Sequence, residues 1–213
     1  MRKIRKLLFV LSCLLLVQTA VLAIPRLSTE VQAATKKGLV RKGMTVRYYK
    51  GGKPITNQWK KAKDGDAAYW FYFGKDGKAY RASKKNGYQN NIVVKTINGV
   101  RYGFDMYGHR ARGLYANASP RAKFFFFTSK GVYNTAKTTA YRKIATAGAD
   151  SAKLRKVLGK SLKTETGPTC VPAPSGSMYD FVLEHYENFT VQYHVDPETK
   201  KEVVFSLTAN IVL

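Results

Sequence analysis

The sequence is short of cysteine, histidine and acidic residues. Two cysteines in 213 residues exclude a disulfide-stapled scaffold and a cysteine-rich zinc fold. Three histidines, His109, His185 and His194, have no spacing that assembles a zinc site. Only 13 Asp and Glu stand against 37 Lys and Arg, a formal net charge of +24. No Gly-rich phosphate loop, GxSxG or HExxH motif occurs. Asp64 and Asp66 flank Gly65 and read as a solvated turn. Cys170 could pair with His185 or His194 as nucleophile and base. Cys170, however, lies in a Pro-rich stretch with no orienting Asn, and His194 falls on the polar side of an alternating run. The chain therefore reads as a non-enzyme with no cofactor and no metal.

What is present begins with an export signal. Arg2, Lys3, Arg5 and Lys6 precede an apolar run from Leu7 to Ile24, which Pro25 ends. Val31-Gln32-Ala33 offers small residues for a signal peptidase, so residues 1–33 read as a signal peptide. Cleavage after Ala23, or retention as an anchor, are the alternatives. No second apolar span follows, so the cleaved chain has no transmembrane segment and is expected to be secreted or held at the cell surface. Removing residues 1–33 leaves Cys170 as a single thiol. An exported chain without a disulfide points to a Gram-positive or anaerobic source.

Charge divides the remainder. Residues 34–131 carry 22 Lys and Arg against 4 Asp and Glu, a balance of +18; residues 132–213 carry 10 against 8, a balance of +2. A shift of that size marks a domain boundary near Gly131. The basic part is an internal repeat of aromatics, a short turn, glycine and a basic residue. It reads RYYKGGK (47–53), FYFGKDGK (71–78), YGFDMYGHR (102–110) and FFFTSKGV (125–132). Gly52, Gly77, Gly108 and Gly131 lie 25, 31 and 23 residues apart. Such periods mean stacked supersecondary units. Each unit reads as a β-hairpin, and hairpins are marginal alone, so they must stack on their aromatic faces.

YWFYFGKDGKAYRA (69–82) and INGVRYGFDMYGHRARGLY (97–115) resemble cell-wall-binding repeats of the choline-binding and glucan-binding type. The resemblance covers residues ~43–132. It implies aromatic cages or platforms for choline on teichoic acid, or for glucan, and places them at Trp59, Tyr72, Phe73, Tyr102 and Phe104. The recurring Gly-Trp pair of that family is absent here, and Trp70 falls inside a strand. The basic charge opposes a quaternary ammonium, because cation–π capture needs a box without competing cations. It favours polyanions: teichoic acid, anionic lipid headgroups, nucleic acid or sulfated glycans. No nucleic-acid-binding motif supports the third.

Residues 132–213 read as a small α+β domain. Asn134 caps a helix to about Ala147. Asp150 caps a second, with Leu154, Val157 and Leu158 on one face. LKTETGPTCVPAPSGS (162–177) reads as a loop. Three alternating runs then give a three-stranded antiparallel sheet. Tyr179, Phe181 and Leu183 share one direction. Phe189, Val191 and Tyr193 join Val203, Phe205 and Leu207, with Ala209, Ile211 and Leu213, on the buried face. The opposite face presents Thr190, Gln192, His194, Ser206, Thr208 and Asn210. Leu154, Leu158, Gly159 and Lys160 are similar to the helix ending of small helix–sheet domains of the β-lactamase-inhibitor-protein and outer-membrane-assembly-lipoprotein type, which implies protein binding. Gln192, His194 and Thr208 are then the expected protein contacts.

The expected architecture is α+β: stacked aromatic hairpins, then two helices on a three-stranded sheet. The expected function is non-covalent attachment to anionic cell-wall polymer or glycan, with a C-terminal protein-interaction domain. The alternatives are a secreted inhibitor or adhesin acting on a soluble protein, or a cell-wall hydrolase.

Overall fold

A computed structural model describes residues 36–85, 88–89, 91–117 and 122–209. The signal peptide over residues 1–33, and Asn210, Ile211 and Leu213, lie outside the described residues. Residues 36–213 form one compact unit.

The chain runs β1 (Gly38–Lys42), β2 (Thr45–Lys50), β3 (Lys53–Pro54), β4 (Gln58–Asp64), β5 (Ala67–Phe73), β6 (Lys84–Lys85), β7 (Tyr88–Gln89), β8 (Ile92–Ile97), β9 (Val100–Asp105), β10 (Gly113–Asn117) and β11 (Lys123–Phe127). It continues through helices α1 (Thr135–Ile144) and α2 (Ser151–Leu158), then β12 (Lys163–Pro172), β13 (Met178–His185), β14 (Phe189–Val195) and β15 (Glu202–Ala209). The fold is α+β, with antiparallel strands in small sheets and two helices.

Four longer antiparallel hairpins, β1–β2, β4–β5, β8–β9 and β10–β11, build the basic part, with β3 added to β2 and a short pair β6–β7 between the second and third. Alternation gives each hairpin two faces, and the inner hairpins bury both. One face of β4–β5, with Phe71 and Phe73, packs on Val46, Leu39 and Tyr48 of β1–β2. The other, with Trp59 and Tyr72, packs on Tyr102, Phe104 and Val93 of β8–β9. The far side of β8–β9, with Ile92 and Val94, meets Phe127, Tyr115 and Phe125 of β10–β11. Gly103 has no room for a side chain there, since a Cβ would lie 2.4 Å from the Phe127 ring. Phe71, Phe73 and Phe104 are fully buried, each side chain contributing about 1.5–3 kcal/mol by burial.

The repeated glycines sit after the second strand of each hairpin, not at its tip. Gly77, Gly108 and Gly131 have φ of +70°, +90° and +74°, which only glycine adopts at little cost. Each donates its N–H to the carbonyl three residues earlier: Gly74, Asp105 and Thr128. The chain leaving the turn then ties two hairpins together. Ala79, Arg110 and Tyr133 donate to the preceding hairpin at Val46, Trp70 and Arg101 (2.9, 2.7 and 2.8 Å). The next residues, Tyr80, Ala111 and Asn134, donate to their own hairpin at Tyr72, Gly103 and Phe126.

Beyond the repeats, Asn134 accepts from the Lys137 N–H at 2.9 Å and Asp150 from the Ala152 N–H at 2.8 Å. Both are N-caps that the sequence marked. Leu154 is fully buried, whereas Val157 is exposed.

The C-terminal sheet has four strands in the order β12-β13-β14-β15, not three. The segment expected to be a loop supplies β12, an edge strand. Its prolines are tolerated because an edge leaves N–H positions that need no ladder partner. The ladder breaks between Pro168 and Pro172. β15 also departs from simple alternation. Gln192 pairs with Ser206 but Tyr193 pairs with Val204, so Phe205 is the extra residue of a bulge. The bulge turns Val204 inward in place of the expected Val203 and Phe205, and Phe205 is exposed. Val204, Ala209, Phe189, Val191 and Tyr193 then share one core with Leu154 of α2 and with Ala116 and Phe124 of β10–β11. The core therefore continues across the position where the charge changes.

Candidate functional site

The ring cluster between the second and third hairpins is the candidate site. Register puts Trp59 opposite Tyr72 and Lys61 opposite Trp70, so Trp59, Lys61, Lys63, Trp70 and Tyr72 share one face of β4–β5. Lys95 opposite Tyr102 and Val93 opposite Phe104 supply the facing side of β8–β9. The Trp59 ring lies 5.2 Å from Tyr72, 4.9 Å from Tyr102 and 5.7 Å from Phe104, edge-on to the first two and stacked on the third. Such pairs add about 0.5–1.5 kcal/mol each beyond area burial. Tyr80 closes the cluster at 5.1 Å from Tyr72 and 5.8 Å from Phe104.

The cluster has a closed base and an open rim. Phe104 and Tyr72 are buried, Trp59 and Tyr102 are half-buried, and Trp70 is 39% exposed. Of the five aromatics singled out from sequence, Trp59, Tyr72, Tyr102 and Phe104 meet here. Phe73 does not: it faces the other side of β5, fully buried against Phe71 and 6.3 Å from Tyr48. Strand alternation puts adjacent residues on opposite faces, so Tyr72 and Phe73 cannot line one site. Trp70, Tyr80 and Arg110 were not singled out. Trp70 was legible, since it lies two residues from Tyr72 and so on the same face.

Cations surround the rim. The Arg110 guanidinium lies 5.8 Å from the Trp59 ring centre and 5.6 Å from that of Trp70. The Lys95 ammonium lies 5.8 Å from the Tyr80 ring. Lys61, Lys63, Lys95 and Arg112 are exposed. One repeat later the pairing recurs with roles exchanged: Arg101 of the hairpin lies 4.6 Å from the ring of Tyr133, which follows the turn.

A second cluster, which no sequence motif marks, surrounds His109. The His109 ring stacks on Tyr69 at 3.7 Å. Its Nε2 lies 2.8 Å from Asp64 Oδ2 and its Nδ1 lies 3.1 Å from Asp105 Oδ2. Asp64 also pairs with Arg41, and Arg41 donates to the Tyr107 carbonyl at 3.1 Å. Asp64 is thus a tie between the first three hairpins, not a solvated turn. Burial opposes charge on His109, but hydrogen bonds and charge from Asp105 and Asp64 outweigh it and raise its pKa above 6.5. Burial likewise opposes ionisation of Asp64, but His109 and Arg41 hold its carboxyl below its ordinary value. The His109 contribution to stability is present below the unfolded pKa and is lost as pH rises through the folded one. The melting temperature is therefore expected to fall as the pH is raised from below to above the ordinary histidine value of about 6.5. His109→Gln should flatten that slope, and thermal melts of both proteins over the range check it.

On the C-terminal sheet, pairing puts Phe181 beside His194, Leu183 beside Gln192 and His185 beside Thr190. His194 is not on an open polar face as expected. It is 2% exposed, stacked 3.7 Å from Phe205 and 5.0 Å from Tyr179, and burial lowers its pKa. The bulge that expelled Phe205 from the core delivered it onto His194. Gln192 remains half-buried and bonds His194 at 3.3 Å and Ser206 at 3.2 Å, while Thr208 is exposed.

Among the described residues, no helix is long and apolar enough to cross a membrane. No family model and no curated protein sequence matches the chain. Solved structures of the modular Cpl-1 endolysin, complexed with a peptidoglycan analogue, are similar over 79% of this chain and 37% of theirs, at 14% identity and a TM-score of 0.35. Alternansucrase in complex with isomaltononaose is similar over 78% of this chain and 10% of its own, at 16% identity and a TM-score of 0.27. This chain thus spans about a third and a tenth of those proteins. Likeness at that level carries no assignment, and the functional reading rests on the ring and cation geometry.

Proposed function

We propose that the chain is a non-enzymatic binding protein that attaches to anionic cell-wall polymer or glycan outside the cytoplasm. One observation carries this reading: half-buried Trp59 and Tyr102 and exposed Trp70 share a rim with Arg110, and exposed Lys61, Lys63 and Lys95 lie on the same two strand faces. An aromatic face suits the apolar C–H face of a sugar ring, and the cations suit its negative substituents. The charge of +18 over residues 34–131 extends the attraction over the whole repeat surface.

A second reading gives the C-terminal sheet a protein partner, as an inhibitor or adhesin would have. It is favoured by Tyr179, Phe181 and Leu183 on the sheet face away from the helices, beside exposed Phe205.

The test is co-sedimentation of residues 36–213 with purified walls across a salt series, with wall turbidity followed in parallel. Retention should fall steeply once the Debye length drops below about 8 Å, and turbidity should stay constant. Retention indifferent to half-molar salt (~0.5 M) would remove the electrostatic reading. Loss of turbidity would make the chain a hydrolase.

A further inference from the structure

Among the described residues Arg110 has no counter-ion. Arg41 has Asp64, and Arg155 has Glu184 and Glu202; among the described residues no carboxylate pairs with Arg110. Its Nε is buried without a hydrogen-bond partner among them. Its position is nonetheless tightly held. The Arg110 N–H donates to the Trp70 carbonyl at 2.7 Å, and its side chain runs over Gly131, where a Cβ would lie 2.6 Å from Cγ and Cδ. The residue following the other two turns is Ala79 or Tyr133, so a cation at this point belongs to this one junction.

With Nε shut against Gly131, the edge that carries Nη1 and Nη2 is the one that can make two parallel bonds to an oxyanion. Lys61, opposite Trp70 in the β4–β5 register, and Arg112, two residues further along, are also cationic and exposed. The attraction that the Trp59 and Trp70 rings offer a cation is already taken by the chain itself.

We infer that this junction reads an oxyanion carried on a sugar polymer, with Arg110 gripping the phosphodiester or carboxylate and the exposed Trp70 ring supporting the adjoining sugar, and that it rejects quaternary ammonium ligands. This rests on the polymer-binding reading above and fixes the sign of the ligand and the residue that recognises it.

The experiment measures retention of residues 36–213 on three immobilised polymers: a phosphodiester-linked sugar polymer, a polyuronate and a neutral glucan. Elution is attempted with choline chloride and with sodium chloride at matched ionic strength. Wild type should hold to at least one anionic polymer, and which one identifies the oxyanion. It should leave the neutral glucan, and choline should elute no better than sodium. Arg110→Gln should weaken retention by about tenfold to a hundredfold, the worth of a charge-assisted hydrogen bond. Arg110→Lys should fall between, because the ammonium keeps the charge but loses the fork. Thermal melts report whether Arg110→Gln still folds; if it does not, Arg110→Lys and the choline arm decide. Specific elution by choline, or wild-type retention in the folded Arg110 variants, overturns the inference while leaving polymer binding intact. No retention on any polymer removes both readings.

Discussion

Phe124→Ala is expected to lower stability by about 3–5 kcal/mol, the cost of emptying a buried phenylalanine site. Phe124 lies on β11, is 1% exposed, and meets Phe189 of β14 at 4.9 Å and Tyr141 of α1 at 6.1 Å. It joins the last hairpin to the helix–sheet part, so its loss should be felt on both sides. The chain offers separate probes for this. Trp59 and Trp70 report on the hairpins alone, while α1 and α2 lie beyond them. In a denaturant titration, tryptophan fluorescence and the helical circular dichroism should move to the same lower midpoint. A tryptophan midpoint that stays put while the helical one falls would mean that the two parts unfold independently, and that the charge boundary near Gly131 is also a folding boundary.

Arg155→Ala is expected to cost about 2–3 kcal/mol, below the range for a fully buried pair because the side chain is 33% exposed. Arg155 on α2 pairs with Glu184 of β13 at 2.8 Å and with Glu202 of β15, and lies 4.3 Å from the Tyr193 ring. Two carboxylates from different strands share that one cation, and Ser151 donates to Glu202 at 2.8 Å. The two carboxylates are 13% and 16% exposed beside Arg155, and its removal leaves them close together with no cation between them. Adding Glu184→Gln and Glu202→Gln to Arg155→Ala should therefore recover more than half of the loss. If the triple variant is no more stable than Arg155→Ala, packing of the arginine stem against Tyr193 is what was lost. Equilibrium denaturation of the variants checks this.

Local chemistry by itself determined the hairpins and the helix starts. Aromatic runs followed by glycine marked four units because only glycine takes the left-handed turn at positions 77, 108 and 131 cheaply. Asn134 and Asp150 marked two helix starts because a short side-chain acceptor satisfies N–H groups that a helix leaves free. Alternation likewise separated the two faces of each strand. It could not say which hairpin covers which face. Trp59 meets Tyr102, Asp64 meets His109, and Arg110 meets Trp59 only through the stacking of units distant in sequence. A single extra residue at Phe205 reversed part of β15, because side-chain direction has a period of two and a bulge breaks it. β12 formed despite its prolines because it lies at an edge, and edge position is decided only when the sheet assembles. The types of residue at the rim of the ring cluster were thus set by the sequence, while their meeting in one place, with Arg110 beside Trp59 and Trp70 and no carboxylate paired to it among the described residues, was set by the tertiary structure.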